Sequence, residues 1–371
     1  MTPSGFVLLD KIAGETSFKA LFPLKRVFCT KRVGHAGTLD LRASGLIIAA
    51  IGRATRLLPY IEAKDKCYTF RLHLGYETDT LEWDGEVVCQ DDKCVGRESQ
   101  PCLHGYDRAQ HLGLEQSESP KTRDGSGEVE RLSGACHPPK EDPYSSYSSG
   151  VELDIIQSGK PSVTRADLEA VLPQFIGDID QVPPNYCAVK INGHRASDLM
   201  NRGRDVELKP RRIHIESLKV IGEGHVTEGC TGKSFATFDL ECNCSKGTYI
   251  RSLGRDLARA LGTCGCVSMI RRHRIGDVTV DRAVRGDALT PEHLLPVDQV
   301  LNFPVVRLNE DQVKAIRLGN WVPWRTPVEN LSAEPGCEKF VFTADKDGVI
   351  IGLGIYDPGR ICPKFYLGED D

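Results

Sequence analysis

Between Val33 and Asp40 the chain reads Val33-Gly34-His35-Ala36-Gly37-Thr38-Leu39-Asp40, a loop-like stretch with two glycines that presents an imidazole and a carboxylate five residues apart, ahead of an apolar run. A carboxylate so placed could serve as a nucleophile, a general base or a metal ligand. The plainer reading is a turn in which Asp40 caps the next segment. Arg251 shifts the balance. Its position in the first turn of a helix expected over 249–261 sets a cation against the positive end of the helix dipole, which costs a few tenths of a kcal/mol or more. Such a cation sits there at ease when an anion is near, a carboxylate or an RNA phosphate. Tyr249 adds a phenol at the same helix entrance, and Tyr68 supplies an aromatic that could stack on a base, although core packing accounts for an average tyrosine.

The elements that must carry these groups follow from periodicity. Phe6-Val7-Leu8-Leu9 reads as a strand, and Tyr68, Phe70, Leu72 and Leu74 alternate with Thr69, Arg71 and His73 in a half-buried one. Thr164 with Asp167 opens a short helix whose core face is Leu168, Val171 and Leu172 and which Pro173 stops. Phe238, Leu240, Cys242 and Cys244 form a further strand. It leads through Ser245-Lys246-Gly247 into a helix with Ile250, Leu253, Leu257 and Leu261 at helical spacing and Gly262 as its left-handed cap. Asn309 with Gln312 makes a capping box for another short helix. The tail reads as three strands: Phe340-Val341-Phe342, Val349-Ile350-Ile351, and Leu353 to Tyr356. The result is an α+β body with a small β-rich unit from about Leu301.

Composition bounds the rest. At 371 residues and 40% hydrophobic content the chain is of ordinary globular type. Its longest apolar stretch, Leu46 to Ile51, falls far short of the roughly 20 residues that a bilayer span needs, and Met1 to Gly14 carries no secretory signature, so a cytoplasmic, membrane-free protein is expected. Fourteen cysteines are scattered along the chain, and the close pairs Cys242/Cys244 and Cys264/Cys266 lack zinc spacing, so no metal site is expected. The net charge of −5 sits almost wholly in residues 90–160, where thirteen acids face eight bases. That segment is rich in Ser, Gly, Glu and Asp without sustained period and reads as a flexible acidic insertion of low complexity. Elsewhere the chain is near neutral, with basic clusters at Lys25-Arg26, Lys31-Arg32, Arg202/Arg204, Arg211-Arg212 and Arg271-Arg272 that would ordinarily be solvated surface.

Four segments in order carry a resemblance. Gly34-His35-Ala36-Gly37-Thr38-Leu39-Asp40, Lys66-Cys67-Tyr68, Gly75-Tyr76-Glu77-Thr78-Asp79-Thr80, and Cys244-Ser245-Lys246-Gly247-Thr248-Tyr249-Ile250-Arg251 resemble the signatures of the TruB family of tRNA pseudouridine synthases. Gln181-Val182-Pro183-Pro184, Ala188-Val189-Lys190-Ile191-Asn192-Gly193 and Ile270-Arg271-Arg272 match as well. Departures are Ile12 for the proline usual after Lys11, Leu41 for the proline after Asp40, and Glu82 for the aspartate after Thr80-Leu81. The resemblance implies a mixed, largely antiparallel-sheet catalytic domain (1–89 and 161–300), interrupted by the 90–160 insertion, and a PUA-like RNA-binding domain at 301–371.

It also implies the reaction, isomerisation of uridine 55 in the tRNA T-loop by a monomer without cofactor or metal. The N1–C1′ bond breaks, the uracil turns, and it rejoins the sugar through C5. Asp40 would attack or electrostatically hold the sugar, as carboxylates do in glycosidases. Arg251 would keep Asp40 ionised and oriented. Tyr68 would lie against the uracil and help proton loss at C5, Tyr249 would line the base pocket, Ile270 would form an apolar wall, and His35 would help extract the nucleotide from its stack. The rival readings are a guide-RNA-dependent rRNA pseudouridine synthase, an RNA chaperone with an idle pocket and, last, a glycoside hydrolase, which would want a second prominent carboxylate.

Overall fold

The computed structural model describes residues 4–90, 95–96, 163–191, 193–204, 206–227, 234–329, 331 and 338–368. The expected 90–160 insertion lies outside them apart from Gln90 and 95–96. The chain opens with β1 (Gly5–Lys11) and α1 (Phe22–Val27), then β2 (Val33–Ala36) and β3 (Ser44–Ile51). Next come α2 (Leu58–Glu62), β4 (Lys66–Leu74), the pair β5 (Tyr76–Thr78) and β6 (Val87–Gln90), and β7 (Val95–Gly96). There follow α3 (Arg165–Val171), β8 (Gly177–Gln181), the small pair β9 (Lys190–Ile191) and β10 (His194–Arg195), and α4 (Ala196–Met200). Long β11 (Arg211–Thr227) and β12 (Ser234–Cys244) precede α5 (Ile250–Ala260), β13 (Gly265–Ile275) and β14 (Val278–Thr279). The last elements are β15 (Val305–Arg307), α6 (Glu310–Arg317), β16 (Val322–Pro323), β17 (Phe340–Ala344), β18 (Ile350–Asp357) and β19 (Arg360–Tyr366).

A ten-stranded sheet in the order β1-β3-β13-β4-β12-β11-β8 organises the body, with β2 on β3, β14 on β13 and β7 on β12. Its pairings are antiparallel save one, the parallel seam of β3 with β13 at Arg271↔Ser44 and Arg272↔Gly45. A Cβ on Gly45 (φ +102°) would lie 2.3 Å from the Arg272 carbonyl oxygen, so the two strands can approach only because this residue has no side chain. One core packs Val7, Ile47, Tyr68, Phe70 and Leu240 against Leu24 of α1, Leu168 of α3 and Leu253 and Leu257 of α5. A second core covers the other face of β1 and β3, joining Phe6, Leu8, Leu46 and Ile48 to Leu57, Ile61 and, from the C-terminal sheet, Phe342 and Leu353. Strand β3 is therefore covered on both faces, which is why Leu46–Ile51 is apolar without alternation. The fold is α+β, as expected. The C-terminal sheet, ordered β15-β17-β18-β19-β16, packs on that second core.

Several local expectations change. Val33–Ala36 is a strand and not part of a loop, because it pairs along β3 from Val33↔Ile51 to Ala36↔Ile48. Pro173 ends α3, but the chain continues as a 3-10 turn over Leu172–Phe175. His73, expected on the outer face of its strand, is buried and hydrogen-bonds Ser268 at 2.7 Å, and burial pushes its imidazole down to about 4. The two strands expected at 349–351 and 353–356 are one, β18. Gly352 bridges them, where a Cβ would meet the Phe365 carbonyl oxygen at 2.8 Å. Regular pairing runs past residue 90, since Val95 pairs with Phe235.

Candidate active site

Asp40 follows β2 in the turn that leads to β3, and three long-range contacts shape that turn. Ser17 Oγ accepts from the Leu39 N–H at 2.9 Å and donates to the Leu39 carbonyl at 3.0 Å. The Lys11 ammonium, 1% exposed, donates to the carbonyls of Ile12 (2.9 Å), Leu41 (3.3 Å) and Ala43. Burial brings Lys11 down to about 8. The Arg272 guanidinium donates to the Gly37 carbonyl at 3.0 Å and the Leu46 carbonyl at 2.8 Å, gripping the turn from both ends. Arg272, expected among the basic clusters of the surface, is instead the largest fully buried side chain described, and Arg271 is occupied by a bidentate pair with Asp10 at 3.0 and 2.9 Å. A guanidinium stays charged when buried and is tolerated there only where its N–H groups find acceptors, and these carbonyls supply them.

Asp40 meets Arg251, the pairing that the family resemblance implies, and is one of the two anions that would suit a cation in the first turn of α5. Arg251 Nε donates to Oδ2 and Nη2 to Oδ1, both at 2.9 Å, a planar bidentate pair. The same guanidinium donates to the carbonyls of Thr80 and Tyr186, each at 2.9 Å, so its fork is fixed by three separate segments. The Arg251 side chain is 5% exposed and that of Asp40 is 42% exposed. The carboxylate is thus held from behind by an immobilised cation and open in front.

The remaining expected residues distribute around this pair. Tyr68 is buried on β4 opposite Arg272, with Asp40 among its charged neighbours, and burial raises its phenol. Ile270 is buried on β13 at a bulge, where the register against β4 jumps between Ser268 and Arg271 and Met269 takes φ +53°. It lines a cavity of about 390 Å³ together with Thr69, Glu82, Trp83 and Arg271. Tyr249 is half-buried against Cys187, Ala196 and Leu208, and has Asp40 and Arg251 as electrostatic neighbours. His35 sits in β2 opposite Ala49. Burial and then Arg272 lower its imidazole, whose Nδ1 has no partner, and Asp40 is not among its charged neighbours. Asp40, Arg251, Tyr68 and Tyr249 therefore form one electrostatic neighbourhood, while His35 belongs to the Arg272 side of the turn.

Two further residues emerge that spacing did not single out. Gln181 ends β8 almost fully buried; its Oε1 accepts from the Tyr249 N–H at 2.8 Å and its Nε2 donates to the Tyr249 carbonyl at 3.2 Å. This side chain supplies from another strand the cap that Tyr249 cannot give α5, and so sets the entry angle of Arg251. Glu82 faces the Arg251–Asp40 pair, its Oε1 buried without a partner; burial pushes it up to about 7, against the pull of Arg251. Its sequence signal was a single departure from the family pattern. Arg42, two residues past Asp40, pairs with Asp84 at 2.7 Å and ties the Asp40 turn to the Glu82 segment. Among the described residues no His, Cys, Asp or Glu cluster has the makings of a metal site.

Comparison with known proteins gives this geometry a family. The model of the TruB family pseudouridylate synthase N-terminal domain matches residues 25–103 and 145–250, breaking within the expected insertion. The tRNA pseudouridine synthase B of Caulobacter sp. (strain K31) is 32% identical over 325 residues, 85% of this chain and 80% of its own. That of Bifidobacterium longum (strain DJO10A) is 35% identical over 307 residues, 79% of this chain and 68% of its own. Among solved structures, a chain of an H/ACA RNP bound to a substrate RNA containing 2′-deoxyuridine superposes with a TM-score of 0.54 at 16% identity, covering 98% of this chain and 85% of that one. This last likeness is one of fold. Identity over most of both chains, on a sheet that holds the bidentate Asp40–Arg251 pair, makes the protein a member of the TruB family of pseudouridine synthases.

Proposed function

We propose that this isomerase converts uridine 55 in the T-loop of tRNA to pseudouridine, with Asp40 as its nucleophile. The relatives named above act on tRNA by their names, and the substrate class is carried over from them. The observation that carries the mechanism is the Asp40–Arg251 pair, in which a carboxylate is oriented through both oxygens yet remains 42% exposed. An aimed and accessible carboxylate suits attack on, or stabilisation of, an electron-poor C1′ as the N1–C1′ bond breaks. The freed uracil turns between Tyr68 and Ile270 and closes on C1′ through C5, releasing the Asp40 carboxylate from C1′. The C5 proton then leaves and N1 takes up a proton, with the Tyr68 phenol nearby to relay it. Tyr249 lines the base pocket and His35 helps hold the nucleotide out of its stack. No electron is gained or lost in the sequence, so the reading assigns no cofactor, and it places a monomer in the cytoplasm.

In this reading residues 301–371 act as a PUA-like RNA-binding unit and 90–160 as an acidic insertion in the catalytic domain. The test is to incubate unmodified tRNA with the purified protein, without guide RNA or cofactor, and map pseudouridine along it. Conversion confined to the T-loop uridine is expected. Conversion only when a guide RNA is added would favour the guide-dependent class, and binding without conversion would leave an RNA chaperone.

A further inference from the structure

The segment after β1 carries an aromatic and cationic surface that no step of the reaction uses. From Lys19 to Phe28 the chain makes a 3-10 turn and then α1, and its inward face is Ala20, Leu21, Leu24 and Phe28. Its outward face, at the helical spacing 18, 22, 25, is Phe18, Phe22 and Lys25. Phe18 is 60% exposed and Phe22 50%. Their rings lie edge to face at 5.4 Å, and the Lys25 ammonium stands 4.6 Å from one centroid and 5.1 Å from the other. Two adjacent phenylalanines left largely in water are costly to solvate, and their edge-to-face rings with a cation at the rim offer a contiguous apolar face to a ligand.

Position and charge select the occupant. Ser17, the residue before Phe18, is the one that clamps the Leu39 backbone by two hydrogen bonds, so the platform is fixed to the turn that presents Asp40. From Thr16 to Leu39 the chain holds Lys19, Lys25, Arg26, Lys31 and Arg32 and no carboxylate. A stacking surface on a segment that carries cations and no carboxylate of its own fits a nucleobase attached to a phosphate backbone better than it fits an apolar protein face.

We propose that Phe18 and Phe22, with Lys25 at their rim, form a platform on which an unpaired base of the RNA substrate, a loop neighbour of the target uridine, stacks while Asp40 acts on the target. This rests on the reading of the chain as an RNA-modifying enzyme. The base lies on ring carbon and its phosphate lies beside the ammonium. Such contacts act on any base, so the platform holds the loop open without selecting its sequence.

The test measures binding alone, in protein carrying Asp40→Asn, by anisotropy of a labelled T stem-loop RNA and of a set in which each loop nucleotide in turn is abasic. Phe18→Ala and Phe22→Ala should each weaken the intact RNA about tenfold, and Phe→Tyr at either position should restore most of the loss. Lys25→Gln should lower the salt slope of binding by about one. One abasic position should weaken the parent and cost nothing further in the Phe18→Ala variant. Unchanged affinity in a folded double-alanine variant, or abasic losses that simply add to the phenylalanine losses at every position, would overturn the platform. If the alanine variants do not fold, the Tyr variants decide: they must bind like the parent and keep the same abasic position silent or sensitive as the parent does. Since no turnover is read, failure of conversion by the unmutated chain would count against the proposed reaction and leave this result standing.

Discussion

Arg251 spends four hydrogen bonds on three segments, and two of them aim Asp40. Asp40→Asn keeps the shape and loses the charge, so pseudouridine formation should fall below detection in single-turnover assays while tRNA affinity changes little. Measurable conversion by the Asn variant would remove Asp40 from its role. Tyr68 separates two contributions in the same way. Tyr68→Phe should bind a T-loop RNA nearly as the parent does, whereas Tyr68→Leu should lose part of the roughly 1–3 kcal/mol that stacking on an extruded base is worth. Equal affinities for both would reduce Tyr68 to core packing. Glu82 makes a pH prediction. Its folded value is raised from 4.5 to about 7, so the folded state holds the proton over a range where the unfolded chain has lost it. The contribution of Glu82 to stability is therefore full below pH 4.5 and is lost as pH rises towards 7. Denaturant unfolding across that window should show stability of the parent falling relative to Glu82→Gln; parallel curves would show that the carboxyl is solvated. The residues with chemistry in their type and spacing, Asp40 and Arg251, could be read from the sequence together with a reason for them to meet. Lys11, Arg272 and Glu82 could not, because a charged side chain announces burial only through the distant carbonyls and neighbours that surround it.

At the scale of elements, strands and helices whose signal is local were legible. The alternation of β4 and the capping boxes of α3 and α6 are present as expected, each resting on neighbours within a few residues. Where partners are distant, the sequence misled. Val33–Ala36 looks like a glycine loop but is recruited into the sheet by β3, and Gly352 looks like a strand break but is the close approach that lets β18 run through. The start of α5 is the functional case. Tyr249 offers no side-chain cap, and Gln181 takes over both of its backbone groups. Gln181→Leu keeps most of the buried volume and strands the Tyr249 N–H, while the Tyr249 carbonyl keeps the Leu253 N–H, which should cost about 1–3 kcal/mol for the unsatisfied donor. Because Arg251 sits in the turn that Gln181 anchors, turnover at saturating tRNA should drop along with the melting temperature. A variant as stable and as active as the parent would show that α5 needs no cap from β8.

At the scale of the whole molecule, the sheet accounts for itself on either side of the expected insertion. β7 pairs with β12 as far as Gly96, and α3 begins with its own Thr164–Asp167 capping box, so among the described residues each border has local hydrogen bonds of its own. The family match likewise stops at 103 and resumes at 145. Removal of 104–144 in favour of a short Gly/Ser linker should therefore leave a folded enzyme with a nearly unchanged catalytic rate. The excised stretch carries more acids than bases, and a polyanionic substrate feels that excess only within the screening distance, about 10 Å at 0.1 M salt. Affinity for tRNA at low salt should accordingly be equal or slightly higher in the shortened chain, and the two proteins should converge as salt is raised. A melting curve, a salt titration of binding and single-turnover kinetics separate the outcomes. A shortened chain that does not fold would make 104–144 part of the body of the enzyme. One that folds but binds tRNA more weakly at every salt concentration would make that segment part of the RNA-binding surface, against the sign of its charge.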